Sequence, residues 1–221
     1  MTLIENIKNY YPEYELFLPL SKKKILFTPF KVKDAKNIAI ILQENDKKLA
    51  LNALYEVLKN NTKNVNIDLL DLSEAEYIFL HIRSKSIDEV INVIYDNEKY
   101  PINIFDIKCD PGKAEKYIKI NDGLTIELEF PKLKSLLLVD SLEKKDIEKA
   151  CIKKVILKNE IFDTSVFVPQ EIEELIQNLP ISFAKQIDKF LFNQPKLFYK
   201  LILNNGTEKE VSGLLDFFTF R

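Results

Sequence analysis

Glycine is scarce, with 4 among 221 residues. So few leave little material for loops that cradle phosphates, and neither G-x-x-x-x-G-K-[ST] nor G-x-G-x-x-G occurs. Histidine occurs once, as His81, and cysteine twice, as Cys109 and Cys151. That inventory nearly excludes a metal centre built from those residue types. The two cysteines stand 42 positions apart with no motif around them, and both are expected to be reduced, buried thiols. An excess of either charge is also lacking. Lys and Arg number 32 against 34 Asp and Glu, a formal charge of −2, so no strong electrostatic footprint for nucleic acid or an anionic membrane follows. No apolar run reaches the length of a membrane span; residues 38–42 and 135–139 are core-sized. The start has no basic stretch followed by an apolar one, so no signal peptide is expected. The glycosylation sequons at 60–62 and 205–207 are then chance matches. No G-x-S-x-G elbow is present.

What is present is ordinary globular material, 46% hydrophobic and 30% charged, enough for one large domain or two small ones. The expected fold class is α+β, with helical N- and C-terminal parts around antiparallel β-hairpins. The expected stretches are 1–87, an N-terminal hairpin with helices; 88–135, β-rich; and 136–221, helical with a closing hairpin. All three are compatible with one continuous core. Residues 15–30 read as two short strands around a polar connection at 21–24. Asp34 is expected to cap a helix facing inward with Ala35, Ile38, Ile41 and Leu42. Asp46 caps a second with Ala50, Ala53, Leu54, Val57 and Leu58, and their short link predicts a helical hairpin. Ser73 and Glu76 read as a capping box ahead of Ile78, Phe79 and Ile82.

The period then changes. Residues 90–95 and 101–105 read as a strand pair around 96–99. Residues 117–120 and 124–130 flank Asp122-Gly123, which predicts a type I′ turn. On the second of these strands Leu124, Ile126, Leu128 and Phe130 share one face, Thr125, Glu127 and Glu129 the other. Ile147, Cys151 and Val155 keep a helical face. Pro169 suits a first helical position, with Glu171, Glu173 and Glu174 near the positive dipole end. Ile172, Leu175, Ile176 and Leu179, then Phe183, Ile187, Phe190 and Leu191, make two further stripes. A hairpin over 198–211 closes the chain. Residues 108–113 and 163–165 are the places where the chain could flex.

Candidate chemistry is thin. His81 reads as a core or polar-edge histidine. Glu127 and Glu129, two apart on one strand, have a spacing that could suit a glycosidase pair, but an exposed sheet face explains them as well. Lys153, Lys154 and Lys158 form a weak basic cluster. No catalytic, cofactor-binding or metal-binding residue is assigned, and no cofactor is expected. One segment stands out: Leu214, Leu215, Phe217, Phe218 and Phe220 crowd five large apolar side chains into seven residues. It either packs on its own domain or inserts into a partner's groove, which makes these five the candidate partner-binding residues.

Several runs, taken in order, resemble one family. Residues 16–19 (Leu-Phe-Leu-Pro), 24–33 (Lys-Ile-Leu-Phe-Thr-Pro-Phe-Lys-Val-Lys) and 41–44 (Ile-Leu-Gln-Glu) are similar to the N-terminal signature of the T-even-type (T-four-like) myophage baseplate hub and hub-assembly proteins. Residues 68–72 and 76–86 resemble that family's D-x-E-Y-L-F-L-x-[IL]-R-[AS]-K-S run. The likeness continues through 118–131, 150–154, 160–163, 179–183, 194–197, 205–206 and 213–218. It implies a non-enzymatic protein of a contractile-tailed bacteriophage that acts in baseplate hub assembly. It would be a hub subunit or an assembly chaperone whose partners are other tail and baseplate hub proteins. No small-molecule substrate, nucleic acid or membrane is implied. The location implied is the host cytoplasm during assembly or the virion tail baseplate. Relatives often carry cysteine pairs at the hairpin tips matching 96–99 and 204–207, which suggests a zinc knuckle. Both tips lack cysteine here, so ordinary turns are expected. The rival readings are a nucleic-acid-binding accessory protein of the phage and a hydrolase using Glu127 and Glu129.

Overall fold

The structure is a computed structural model that describes residues 10–43, 46–158, 160–213 and 217. It is α+β, with seven helices and twelve strands in antiparallel sheets among those residues. Contacts divide the chain into two units: Met1–Pro111 with Lys196–Arg221, and Gly112–Pro195. The second is thus an insertion in the first. The division does not coincide with the three stretches expected from composition.

In the first unit, β1 (Tyr14–Phe17) and β2 (Lys24–Phe27) form the expected hairpin, extended by β3 (Thr62–Lys63). α1 (Ala35–Gln43) packs on α2 (Lys47–Asn61). Asp46 caps α2, accepting from the N–H groups of Lys48 and Leu49. Asp34 plays a different part from the expected one. It ends a 3₁₀ turn that runs into α1, and its carboxylate is fully buried. There it accepts from Lys31 N–H at 2.9 Å and from the Asn61 amide at 2.8 Å, so it joins the start of α1 to the end of α2. On α1, Ile41 is buried and Ile38 half-buried, Ala35 is exposed, and the side chain of Leu42 lies outside the described residues.

α3 (Leu72–Ser86) begins at Asp71, two residues before the expected cap at Ser73. Ser73 and Glu74 are inside, because α3 is buried on most of its circumference. Glu74 keeps its charge satisfied by accepting from the N–H groups of Leu20 and Ser21 at 3.0 and 2.7 Å. β4 (Val90–Tyr95) and β5 (Glu98–Asn103) pair through Pro101, with only Asp96 and Asn97 between them. Both of those residues have positive φ, 50° and 62°, so the type I′ geometry is here. β6 (Lys108–Asp110), β11 (Lys196–Ile202) and β12 (Glu208–Ser212) complete the unit as one sheet, with β11 in the middle.

In the second unit the strand order is β10-β9-β8-β7, with β7 (Tyr117–Asn121), β8 (Leu124–Leu128), β9 (Ile152–Leu157) and β10 (Glu160–Asp163). The hairpin over Asp122-Gly123 forms, but neither residue enters the left-handed region. The register slips between Lys119 and Asn121, and the Asn121 side chain accepts Gly123 N–H at 2.8 Å. The slip re-aims the strand, so the primed turn is not needed. Two helices precede β9: α4 (Leu133–Leu138) and α5 (Lys144–Cys151). The helical face expected to run on to Val155 stops at Cys151. Ile152, Val155 and Ile156 are β-branched and pair with β8 instead. α6 (Pro169–Gln177) starts with proline as expected, and α7 (Ile181–Phe192) follows. The core gathers Ile118, Ile126, Leu128, Cys151, Phe183 and Phe190, with Phe130 stacked on Phe190 at 4.3 Å.

The two segments expected to flex are both held. Thr164 is buried, with its hydroxyl 2.5 Å from the Ile152 carbonyl oxygen. Gly112 has φ +73°, and a Cβ there would stand 2.3 Å from the Asn193 carbonyl oxygen. That close approach accompanies a hydrogen bond from Lys113 N–H to the same oxygen at 3.2 Å. Gly112→Ala is therefore expected to lower stability by roughly 3 kcal/mol or more, seen as a clear drop in thermal midpoint. Gly206→Ala, with φ +80° but nothing within 4 Å of its Cβ, is expected to lose only about 1 kcal/mol. Equal losses would mean that backbone strain alone, and not the close approach, decides the Gly112 position.

Candidate functional site

β8 and β9 bring two of the sequence candidates together, and they cancel. Glu127 lies opposite Lys154 in the register, and their charged groups are 3.6 Å apart. Lys153 reaches Glu129 at 2.7 Å. The supposed carboxylate pair is thus partnered across one sheet face by two of the three lysines of the supposed basic cluster; the third, Lys158, lies exposed in the turn after β9 with φ 54°. Burial pushes the Glu129 carboxyl up, but its hydrogen bond to Lys153 and the charges of Lys153, Lys132 and Lys116 outweigh that and hold it below its ordinary range. A glycosidase acid needs the opposite shift. On α6, Glu171 accepts Val168 N–H at 3.0 Å and Glu173 meets Lys149 at 3.3 Å.

The thiols lie in different units and are unbridged. Burial, with Glu74 adding repulsion, pushes the half-buried Cys109 up to about 11. Burial, with Glu148, pushes Cys151 up to about 12. Both stay protonated at neutral pH, which suits packing and not nucleophilic attack. Among the described residues no three His, Cys, Asp or Glu side chains gather as a metal ion requires, and no helix is long and apolar enough to cross a membrane. The two hairpin tips singled out by the resemblance meet through side chains. Asn204 donates from its amide to Glu98 at 2.6 Å, Tyr100 donates to the same carboxylate oxygen at 2.6 Å, and Lys209 lies over the Tyr95 ring at 5.7 Å.

Of the five apolar residues near the C-terminus, Phe217 is fully buried within the chain. It is a core side chain, not part of an exposed patch. Leu214, Leu215, Phe218 and Phe220 lie outside the described residues.

The feature that sequence reasoning missed is a cleft of about 560 Å³ in the second unit. Its walls come from the end of β8, α4, α5, the turn after β10 and the start of α6. Phe130, Leu138, Phe167 and Ile172 supply apolar wall; Lys132, Lys149 and Lys153 supply charge. Each lysine faces an acid: Lys132 and Lys153 face Glu129, and Lys149 meets Asp146 at 2.9 Å. Asp146 is held below its ordinary range by hydrogen bonds from Ser141 and Lys149. A smaller apolar groove of about 150 Å³ adjoins it, sharing Thr164, Phe167 and Ile172 and adding Val155, Phe162, Glu171 and Leu175. The two depressions together form a trough walled by paired charges and apolar side chains. No local motif announces it, since its walls are drawn from residues 129 to 175.

His81 is the remaining titratable group with a large shift. It is buried on α3, its ring 4.4 Å from that of Tyr77 and 5.4 Å from that of Phe105. Its Nε2 has no hydrogen-bond partner among the described residues. Burial, helped by Lys85, lowers its pKa from 6.5 to about 4. The unfolded chain therefore takes up a proton that the folded chain refuses, and stability falls as pH drops from about 6.5 to about 4. Urea unfolding is expected to show a loss of roughly 2–3 kcal/mol from this group between pH 7 and about pH 4.5. His81→Leu should lack that share of the loss, and an identical pH dependence in the variant contradicts the assignment.

No curated protein and no solved structure matches the chain. A family model described as the T4 bacteriophage base plate protein matches residues 11–219. That is nearly the whole chain, and the chain belongs to this family.

Proposed function

We propose that this member of the T4 bacteriophage base plate protein family acts in building the baseplate hub, as a hub subunit or as an assembly chaperone, without catalysis. Family membership makes it a component of the phage tail and other base plate proteins its partners. The hub role is supported by the ordered likeness of residues 16–33, 76–86 and 118–131 to hub and hub-assembly proteins.

The observation that carries the non-catalytic reading is the fate of the chemistry-bearing side chains. Glu127 and Glu129 neutralise Lys154 and Lys153, both thiols stay protonated, and His81 is enclosed by aromatic rings. What remains accessible is shaped surface, which suits protein–protein contact. The same ion pairs and the formal charge of −2 weigh against the nucleic-acid reading, which needs unpaired cations along a phosphate path. Assembly in the host cytoplasm follows from this role.

Co-expression of the full chain with the hub proteins of its phage is expected to yield a stable co-purifying complex. The variant Glu127→Gln should form that complex to the same extent, because that carboxylate serves the sheet and does not line the trough. A chain that stays solitary with every hub protein contradicts the hub role. Failure of the folded Glu127→Gln variant to support phage growth, with its complex intact, contradicts the non-catalytic reading.

A further inference from the structure

We infer that the open edge of β10, together with the trough beside it, receives an extended, apolar, lysine- or arginine-bearing segment of another base plate protein, added as a fifth strand. The inference rests on the base plate reading for the partner's origin and on the geometry below for its chemistry.

β10 pairs with β9 and ends the sheet; among the described residues no strand lies on its other side. Its four residues, Glu160, Ile161, Phe162 and Asp163, are all exposed, Ile161 at 65%. An exposed apolar edge is normally blunted, most often by lysine. The opposite edge follows that rule, since β7 carries Lys119 with its side chain 66% exposed. β10 has no lysine, no proline and no bulge in its pairing with β9; its two charges, Glu160 and Asp163, are both acidic, so they bar another acidic edge but not a basic strand. The backbone on its free side is a template for another extended chain, and this settles the conformation of the occupant.

The side chains beside the edge settle the rest. Phe162 lines the smaller groove with Val155 and Leu175, while Phe167 and Ile172 carry the apolar wall on into the larger cleft. A strand laid along β10 would turn alternate residues into that wall. Val166 and Val168, 79% and 55% exposed, extend the apolar surface beside it. The charge of the occupant follows from the walls. Three lysines face five carboxylates across the two depressions, and each lysine already meets an acid. The surplus is negative, with Asp140 in the cleft and Glu171 in the groove. A basic side chain flanking the apolar run meets that surplus, and an acidic one is repelled.

Three fluorescent heptapeptides test this with the full-length chain: one alternating valine and serine with a lysine at each end, one with glutamates at the ends, and one lysine-ended but N-methylated on alternate backbone amides. Anisotropy is expected to show binding of the first, with the other two at least about tenfold weaker. Amide shifts in the nuclear magnetic resonance spectrum should centre on residues 160–167. Phe162→Ser, whose fold is checked by its thermal midpoint, should weaken the first peptide by a similar factor. Equal binding of the N-methylated peptide overturns strand addition, and equal binding of the glutamate-ended one overturns the charge argument. No binding of the first peptide at millimolar concentration overturns the site. Self-association of the wild type that Phe162→Ser abolishes assigns the edge to a second copy and also overturns it. Co-purification with base plate proteins that survives in Phe162→Ser leaves the family role standing and removes only this site.

Discussion

The pairing of β6 with β11 is the constraint on which the rest of the architecture depends. Lys108, Cys109 and Asp110 lie opposite Phe198, Leu197 and Lys196. The chain therefore leaves the first unit and re-enters it at neighbouring positions of one sheet. Everything from Gly112 to Pro195 is a closed excursion with its ends held together. Gly112 completes the closure from the other side of the crossing, where its missing Cβ leaves room for the Asn193 carbonyl and its neighbour Lys113 donates to that oxygen. With few glycines in the chain, one stands where a side chain has no space. An insertion closed in this way loses less chain entropy on folding than one with free ends, because the distance between its ends is already set.

Charge is used with the same economy. Glu74, Asp34 and Asn61 are each at most 2% exposed, and each is given hydrogen-bond partners, the two carboxylates by backbone N–H groups. Buried polar groups of this kind stabilise little in themselves but are destabilising when a partner is lost, so they specify one arrangement of turns and helices. In the second unit the ion pairs of β8 and β9 lie on the sheet face. Exposed pairs contribute little stability. Their effect here is to tie Glu127 and Glu129 to Lys154 and Lys153. The structure thus spends these carboxylates and lysines on the fold.

Local signals made much of this legible. Asp46, Pro169 and the apolar stripes of α2 and α7 act within one turn of helix, and they stand where their sequence pattern puts them, while the stripe of α6 is only partly buried. The hairpin over Asp122-Gly123 was legible from its alternation; its turn type was not, because the slip at Lys119 is set by pairing on both sides of the strand. Asp96-Asn97 hid a two-residue turn, since Asn at the second position reaches positive φ less freely than Gly. Cys151 to Val155 read as a helix face because i, i+4, i+8 spacing takes no account of a neighbouring strand that needs a partner. The trough was illegible for a deeper reason. Its walls are far apart in sequence, and the exposed edge of β10 exists only once β9 has paired with β8. The apolar run near the C-terminus drew attention as a contact site, yet Phe217 is core.

A base plate component has to recognise its siblings, and an open strand edge beside an acidic-surplus trough fits that task. The register of an added strand is fixed by hydrogen bonds, while alternate side chains and flanking charge select among partners. The most direct measurement is hydrogen–deuterium exchange on the full chain, alone and in its complex with the base plate proteins it co-purifies with. The account predicts slowed exchange concentrated in residues 160–167 and the neighbouring walls of the cleft. Protection elsewhere, with that edge exchanging as fast as in the free chain, contradicts it.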